Sequence, residues 1–234
     1  MNEIIRKNIF NFCRFLLRCF TRHYRVCYTT KDIDEPAVYL IHHQNLKGPL
    51  ISMAWFDRTV RPWVLSVFCN HSACFRHYYE YTFTKRFGIP KIIAAIIIYP
   101  LSFCVAALMR VAQAIPVYRG SKDILKTFKQ SIYALTSGQN ILISPDIDYT
   151  DKSTNIGELY KGFLNLEKLY FEKTGKHLAF VPLHIKKRER YILVGKPVYF
   201  IAQDNFKKEK EKAYARLKQE FLTLENISYG SFKL

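Results

Sequence analysis

The chain has 234 residues, of which 49% are hydrophobic and 15% aromatic, so its composition excludes a disordered protein. The formal net charge of +17 is high for an enzyme acting on small molecules in free solution, and it predicts nucleic acid or an anionic membrane surface as partner. Six scattered cysteines without a C-x-x-C pair indicate reduced core thiols, and Arg14 and Arg18 break the pattern of a secretory signal.

Residues 1–27 mix apolar and basic positions. An amphipathic helix at an anionic membrane interface would place its apolar face in the acyl boundary and its cations among headgroups. The alternative is an ordinary surface helix packed on the core. We therefore expect a membrane-associating helix over 1–30 and an α/β domain over 31–234. The apolar residues recur at helical spacing as Ile5, Ile9, Phe12, Leu16 and Phe20.

A strand is predicted over 37–41, and it leads directly into the segment 42–49. The segment contains His43 and ends at Pro49, which favours a helix start, so a helix is expected to run on to Trp55. Imidazole titrates near neutral pH, which makes a histidine at the end of a strand a candidate general base.

Two consecutive segments in the middle of the chain have opposite character. Residues 71–87 are aromatic and basic, whereas 92–109 holds no charged residue over eighteen positions. That length is near the lower limit for a spanning helix, and Pro100 lies in its middle. A membrane-dipping or interfacial hairpin is the prediction, and a buried core helix is the alternative.

The other segments alternate between predicted strands and helices, which indicates an α/β fold with a mostly parallel central sheet flanked by helices. Strands are predicted at 63–68, 114–118, 140–144 and 177–184, helices at 122–136, 157–174 and 204–226, and a strand or hairpin arm at 190–200.

Four short segments follow predicted strands, where open α/β folds place their sites. They contain His42-His43 with Gly48-Pro49, Pro116-Val117-Tyr118-Arg119, Pro145-Asp146, and Val181-Pro182. In order and spacing, over roughly residues 35–200, they resemble the motifs of PlsC-type glycerophospholipid acyltransferases, the lysophosphatidate acyltransferase family.

The first family motif, N-H-x-x-x-x-D, sets His42 on the Asn and His43 on the catalytic His, and Gly48 stands where the Asp is expected. The resemblance implies that His43 is the general base and that Arg119 binds the acceptor's phosphate through its planar fork. Lys161 is a further candidate for that phosphate, or an ordinary surface lysine. Asp146 and Asp148 are the carboxylates that we expect to replace the missing acid.

The resemblance implies an acyltransferase that moves a fatty acyl group from acyl-CoA or acyl-carrier protein to the hydroxyl of a lysophosphatidate-like glycerophospholipid. No metal and no bound cofactor are implied. The expected location is the cytoplasmic face of the cell membrane, peripheral or monotopic. An inactive relative that binds lipid or acyl donor is the alternative, because Gly48 offers no carboxylate. Nucleic-acid binding is less favoured, since no known nucleic-acid motif is present.

Overall fold

The computed structural model describes residues 2–30, 36–44, 46–147, 157–201 and 205–227, and the candidate Asp148 lies outside them. The chain forms two compact units. The sheet unit comprises Arg14–Val60 and Ser131–Leu234, and the helical unit comprises Met1–Cys13 and Arg61–Gln130.

Helices and strands alternate along most of the described chain, and short 3₁₀ and π-helical turns join some of them. In order, they are α1 (Glu3–Phe20), β1 (Arg25–Tyr28), β2 (Ala37–Ile41), α2 (Lys47–Trp55), β3 (Val60–Leu65), a 3₁₀ helix (Ser66–Cys69), α3 (His71–His77), a π-helix (Tyr78–Arg86), α4 (Lys91–Val111), β4 (Ile115–Val117), α5 (Ile124–Thr136), β5 (Asn140–Ile143), a second 3₁₀ helix (Lys161–Leu164), α6 (Asn165–Thr174), β6 (Ala179–Lys186), β7 (Tyr191–Val194) and α7 (Phe206–Asn226).

The strands of the sheet unit are ordered β1-β7-β6-β2-β5. All neighbours run parallel except β6 and β7, which form an antiparallel pair. The predicted α/β class with a mostly parallel sheet and flanking helices is confirmed. The prediction of a hairpin arm near the end of the chain corresponds to β7.

Strand β2 lies between β6 and β5 in this order, and all five of its residues are buried. Burial on both faces is typical of a parallel strand covered by helices on both sides, and it explains the continuous apolar sequence of β2. Helix α7 turns an apolar face inward, and its charged residues other than the buried Glu209 are partly or fully exposed. Its buried apolar residues are Ala213, Tyr214, Leu217, Phe221 and Leu224.

The helical unit contains the parallel pair β3–β4 and helix α4. The predicted hairpin over 92–109 is wrong, because α4 continues through Pro100 as one helix. A proline removes one amide donor from a helix, and α4 stays helical on both sides of it. The alternative of a buried core helix is wrong as well, since only a narrow seam of α4 is covered. The buried residues are Ala94, Ile98, Ser102, Ala106 and Val111.

One strand was missed, and several boundaries differ from the sequence prediction. Strand β1 was not predicted, because its four residues continue a basic segment and its pairing partner β7 lies far along the chain. Strand β3 begins and ends three residues before the predicted 63–68. The helix predicted from residue 157 begins instead at Lys161 as a 3₁₀ turn. Local composition places such elements but does not fix their ends.

Candidate active site

The carboxyl ends of β2 and β5 meet at one edge of the sheet unit. The two strands are parallel neighbours, with Leu40 opposite Ile143. His42 and His43 directly follow β2, and Asp146 follows β5. Parallel pairing therefore brings together residues that are more than 100 positions apart in the chain.

Asp146 contacts both histidines, but in different ways. Its Oδ1 accepts a hydrogen bond from Nδ1 of His42, and its Oδ2 accepts one from the backbone N–H of His43 at 2.8 Å. His42 and Asp146 are each only 4% exposed. A carboxylate that accepts on both oxygens requires a donor opposite each one, so Nδ1 of His42 carries the proton. Sequence reasoning expected Asp146 or Asp148 to replace the missing acid beside His43.

Nδ1 of His43 has the opposite hydrogen-bonding role and accepts a hydrogen bond. The backbone N–H of Leu46 donates to Nδ1 of His43 at 3.0 Å, so the neutral ring carries its proton on Nε2. The chain between them adopts positive φ at Gln44 (48°) and Leu46 (76°).

Gly48 occupies a position where no side chain fits. A Cβ atom there would lie 2.0 Å from the carbonyl oxygen of His42. The backbone N–H of Gly48 also donates to the carbonyl of His43 at 3.2 Å, which holds the start of α2 close to the end of β2. An acid at position 48 is thus excluded by the path of the backbone, and the carboxylate of this site comes from Asp146.

The backbone around Asp146 is fixed by a second segment. Asp146 and Leu159 form an antiparallel bridge, and the N–H of Tyr160 donates to the carbonyl of Pro145 at 2.7 Å. The N–H of Leu159 in turn donates to the hydroxyl of Tyr214 on α7 at 3.2 Å. This clamp keeps the carboxylate in one place relative to β2.

A third histidine that sequence reasoning did not single out lies at the same edge. His184 follows Leu183 in β6, which is paired with Ile41 of β2. Burial, together with the nearby charges of Lys186, His42 and Lys187, lowers the pKa of His184 to about 4. His184 is therefore neutral at physiological pH. The register of two parallel strands was the signal that could have found it.

The two predicted phosphate ligands lie in different units. Lys161 donates to Glu211 at 2.5 Å and lies 4.4 Å from the ring centre of Tyr214. The hydrogen bond to Glu211 raises the pKa of Lys161, so a phosphate there would compete with a carboxylate. Arg119 is exposed in the turn after β4 of the helical unit. Their roles stay predictions.

Helix α4 is long and apolar enough to cross a membrane, the single such helix in the described part of the chain. Its large apolar side chains point to solvent, whereas the seam it buries consists mainly of small residues. We call this exposed face the apolar surface. It consists of Ile92, Ile93, Ile96, Ile97, Tyr99, Leu101, Phe103 and Leu108.

Helix α1, like α4, leaves its large apolar side chains exposed. Several arginines expected to meet headgroups instead bond backbone carbonyls at helix ends: Arg6 to Val111, and Arg14 and Arg18 to Ala54. Cations at helix C-termini satisfy carbonyls that have no intrahelical partner. The apolar residues of α1 are left exposed as a result, namely Ile4, Ile5, Ile9, Phe12, Phe15, Leu16 and Phe20.

Comparison with known proteins finds a likeness in fold. No protein-family model matches the chain, and no curated protein sequence does. The crystal structure of the 1-acyl-sn-glycerophosphate (LPA) acyltransferase PlsC from Thermotoga maritima is similar, with a TM-score of 0.54 and 12% sequence identity. The match covers 95% of this chain and 82% of that one. At this identity the likeness concerns the fold.

Proposed function

We propose that the chain is a membrane-surface acyltransferase. It moves a fatty acyl group from acyl-CoA or acyl-carrier protein to the hydroxyl of a lysophosphatidate-like glycerophospholipid. The observation that carries the proposal is the buried histidine–carboxylate contact between His42 and Asp146 at the sheet edge, on a fold similar to that of an LPA acyltransferase.

Acyl transfer to an alcohol needs a base that takes the hydroxyl proton while the oxygen attacks the thioester carbonyl. A carboxylate on the far nitrogen of the histidine orients the ring and stabilises the imidazolium that forms. The sheet edge offers two adjacent histidines and one carboxylate that contacts both residues. The sequence resemblance assigns the base to His43, with Arg119 and Lys161 toward the acceptor's phosphate.

The apolar surface supports a lipid substrate. A water-soluble protein rarely leaves a contiguous stripe of large apolar side chains uncovered, and such stripes mark interaction sites. The acceptor and the acyl chain both reside in or near a bilayer, so a peripheral or monotopic position on an anionic membrane brings enzyme and substrate together. The net charge of +17 and the thiols of the six cysteines, none of which is in a disulfide, fit the cytoplasmic face.

The proposal is tested by acyl transfer from acyl-CoA and from acyl-carrier protein to a panel of lysophospholipids on vesicles. Wild type is expected to acylate at least one acceptor. The His42→Gln/His43→Gln double variant, which keeps two polar side chains at the sheet edge but has no base there, is the control. Transfer by wild type no faster than by this variant on every acceptor would refute the proposal.

A second candidate function is supported by Gly48. The acid of the first family motif is missing and cannot be accommodated, so the chain is alternatively a catalytically weak relative that binds lipid or acyl donor. Tight binding of acyl-CoA without turnover on any acceptor would support that function. Oligonucleotide binding measured beside vesicle flotation tests the less favoured nucleic-acid partner.

A further inference from the structure

We infer that a cleft in the helical unit binds the headgroup of a zwitterionic phospholipid, with the phosphate toward Arg76 and the ammonium group toward Glu80. This inference goes beyond the proposed function, because the cleft is lined by residues of the helical unit alone and its ligand is a bilayer lipid, not the acyl acceptor. It gives a role to the aromatic and basic segment 71–87, which the proposed acyl transfer does not use.

The cleft lies where α3 continues into the π-helix, beside α4. Its volume is about 590 Å³, within the range of roughly 300–1,000 Å³ that is usual for ligand pockets. Helix α3 and the π-helix contribute all of its lining residues except Tyr99, which belongs to α4. π-Helical geometry is rare in proteins and is found frequently at functional sites, so its presence at this cleft supports a binding role.

Aromatic rings form the apolar part of the cleft lining. Phe75 and Tyr79 are stacked, with ring centres 5.7 Å apart and an interplanar angle of 11°. Phe75 also meets Tyr99 of α4 in an edge arrangement, with ring centres 6.3 Å apart. The face of an aromatic ring attracts cations, and groups of such rings recognise choline-type ammonium groups. This part of the lining therefore suits an ammonium group, with or without methyl substituents.

Two opposite charges complete the lining. Arg76 and Glu80 both line the cleft, and both residues are exposed. Neither side chain is in an ion pair within the part of the chain that the structure describes, so both are open to a ligand. The planar guanidinium of Arg76 matches the oxygens of a phosphate, and the carboxylate of Glu80 pairs with an ammonium group. The two side chains thus fit a ligand in which a phosphate and an ammonium group are joined by a short linker.

Glu80 disfavours a ligand that carries only negative charge. The phosphates of an anionic lipid or of a nucleic acid would lie close to its carboxylate, and the juxtaposition of like charges weakens binding. A zwitterionic headgroup pairs with both Arg76 and Glu80. The net charge of +17 attracts every anionic surface alike, whereas this cleft distinguishes one headgroup from another.

Tyr99 connects the cleft to the apolar surface of α4. It lines the cleft and also belongs to that surface. Ile96 and Phe103 lie three positions before it and four positions after it, and hence on the same side of the helix, and both are exposed. A headgroup in the cleft therefore leaves its acyl chains beside large apolar side chains. This arrangement favours a phospholipid over a free compound with the same headgroup.

The first test measures the binding of short-chain lipids, below their micelle concentrations, by NMR of protein labelled with ¹³C-tyrosine. Dihexanoylphosphatidylcholine is expected to shift the ring signals of Tyr79 and Tyr99, which are assigned through Tyr79→Phe and Tyr99→Phe. Dihexanoylphosphatidylglycerol has the same chains and no ammonium group, so it should bind at least about tenfold more weakly, the effect of one hydrogen bond to a charged group. Equal or tighter binding of the glycerol lipid, or no shift of either tyrosine by the choline lipid, would overturn the inference.

The second test uses variants whose fold is checked by circular dichroism. Glu80→Gln removes an acid from a basic protein, so its general attraction to anionic vesicles should equal or exceed that of wild type. Its affinity for dihexanoylphosphatidylcholine should nevertheless fall by about tenfold, and that of Arg76→Gln by a similar factor. Lys85→Gln is the matched control for Arg76→Gln, because Lys85 is an exposed cation of the π-helix that does not line the cleft. Wild-type affinity in Glu80→Gln, or equal losses in Arg76→Gln and Lys85→Gln, would contradict the assignment of the two charges.

Phosphocholine, titrated in the same way, separates a lipid from a soluble compound with the same headgroup. It is expected to shift the same two tyrosines but to bind at least about tenfold more weakly than dihexanoylphosphatidylcholine, because it has no chains to contact the apolar surface. Phosphocholine that binds as tightly as the lipid would overturn the assignment of a phospholipid. None of these measurements involves acyl transfer, so they test the cleft independently of the proposed function.

Discussion

The sheet edge buries polar side chains, whereas the apolar surface exposes large apolar ones. At the sheet edge, which contains His42, His43, Asp146 and His184, three of these side chains are buried, and Asp146 accepts hydrogen bonds from His42 and from the backbone of His43. On the apolar surface of α4, large aliphatic and aromatic side chains face outward. Both arrangements cost stability in water, so each is expected where function requires it: the first for chemistry and the second for contact with lipid.

This contrast makes the two regions experimentally separable. A change at the sheet edge should affect turnover and leave membrane binding intact. A change on the apolar surface should weaken membrane binding and leave the fold intact. Four predictions test the contrast.

The largest expected effect is that of Asp146→Asn. An amide at this position donates as well as accepts and no longer holds the His42 proton on Nδ1, and loss of an orienting Asp costs about four orders of magnitude in turnover in serine proteases. We expect kcat for acyl transfer to fall by about 10³–10⁴ on that basis. Binding to vesicles, measured by flotation, should equal that of wild type. Reduced flotation would contradict the separation of the two regions.

The next effect concerns Gly48→Asp, which restores the acid of the family motif. Because a Cβ atom would lie 2.0 Å from the carbonyl of His42, the variant should lose turnover and about 3 kcal/mol of stability, the upper end for overpacking. Gly48→Ala is the matched control, since it introduces the same collision without a carboxylate. Urea denaturation and acyl-transfer rates measure both. Faster transfer by Gly48→Asp than by wild type would show that the missing acid is simply a lost catalytic group.

The third effect is a pH dependence of stability at the sheet edge. The pKa of His184 is lowered to about 4 in the folded protein, below its ordinary value of 6.5. Between these values the unfolded chain binds more protons than the folded one, so stability falls as pH decreases from 6.5. The shift predicts a loss of about 2 kcal/mol by pH 5, at 1.36 kcal/mol per pH unit. The free energy of unfolding, measured by urea titration at several pH values, should fall less steeply with decreasing pH in His184→Gln than in wild type. An identical dependence on pH in both proteins would contradict the prediction.

The smallest effect is expected on the apolar surface. Ile96 is 70% exposed, and burying an isoleucine side chain in an apolar phase contributes at least about 1.5 kcal/mol. Ile96→Glu should therefore weaken partition onto mixed phosphatidylcholine and phosphatidylglycerol vesicles by at least about tenfold. Ile201→Glu is the matched control, because Ile201 is 73% exposed but lies in the sheet unit, outside α4. Equal losses in both variants would show that α4 has no special part in binding.

The sequence predicts the sheet edge better than it predicts the contacts within it. The apolar run of β2 and the following His42-His43 identify a strand and a site, because burial on both faces leaves a clear pattern. Which histidine faces Asp146 depends on the turn after them, where Gln44 and Leu46 adopt positive φ. Neither residue type signals such a conformation, so the contact between His42 and Asp146 could not be read from the motif.

The sequence predicts that residues 92–109 are apolar but does not predict that they form one continuous helix. An uncharged run of eighteen residues indicates an apolar segment, and Pro100 suggested a break in it. The structure has one helix through Pro100, which buries a seam made mainly of small side chains. Strand β1 was missed for a different reason, since its existence depends on pairing with β7, a partner more than 150 residues away.

The most direct measurement of the central claim is the rate of acyl transfer from acyl-CoA to lysophosphatidate on one vesicle preparation, with wild type and Asp146→Asn present in equal bound amounts. The account predicts measurable transfer by wild type and a rate lower by about 10³–10⁴ for the variant. Equal rates for the two proteins would contradict the claim that the carboxylate of Asp146, held at the end of β5, makes the neighbouring histidine a base.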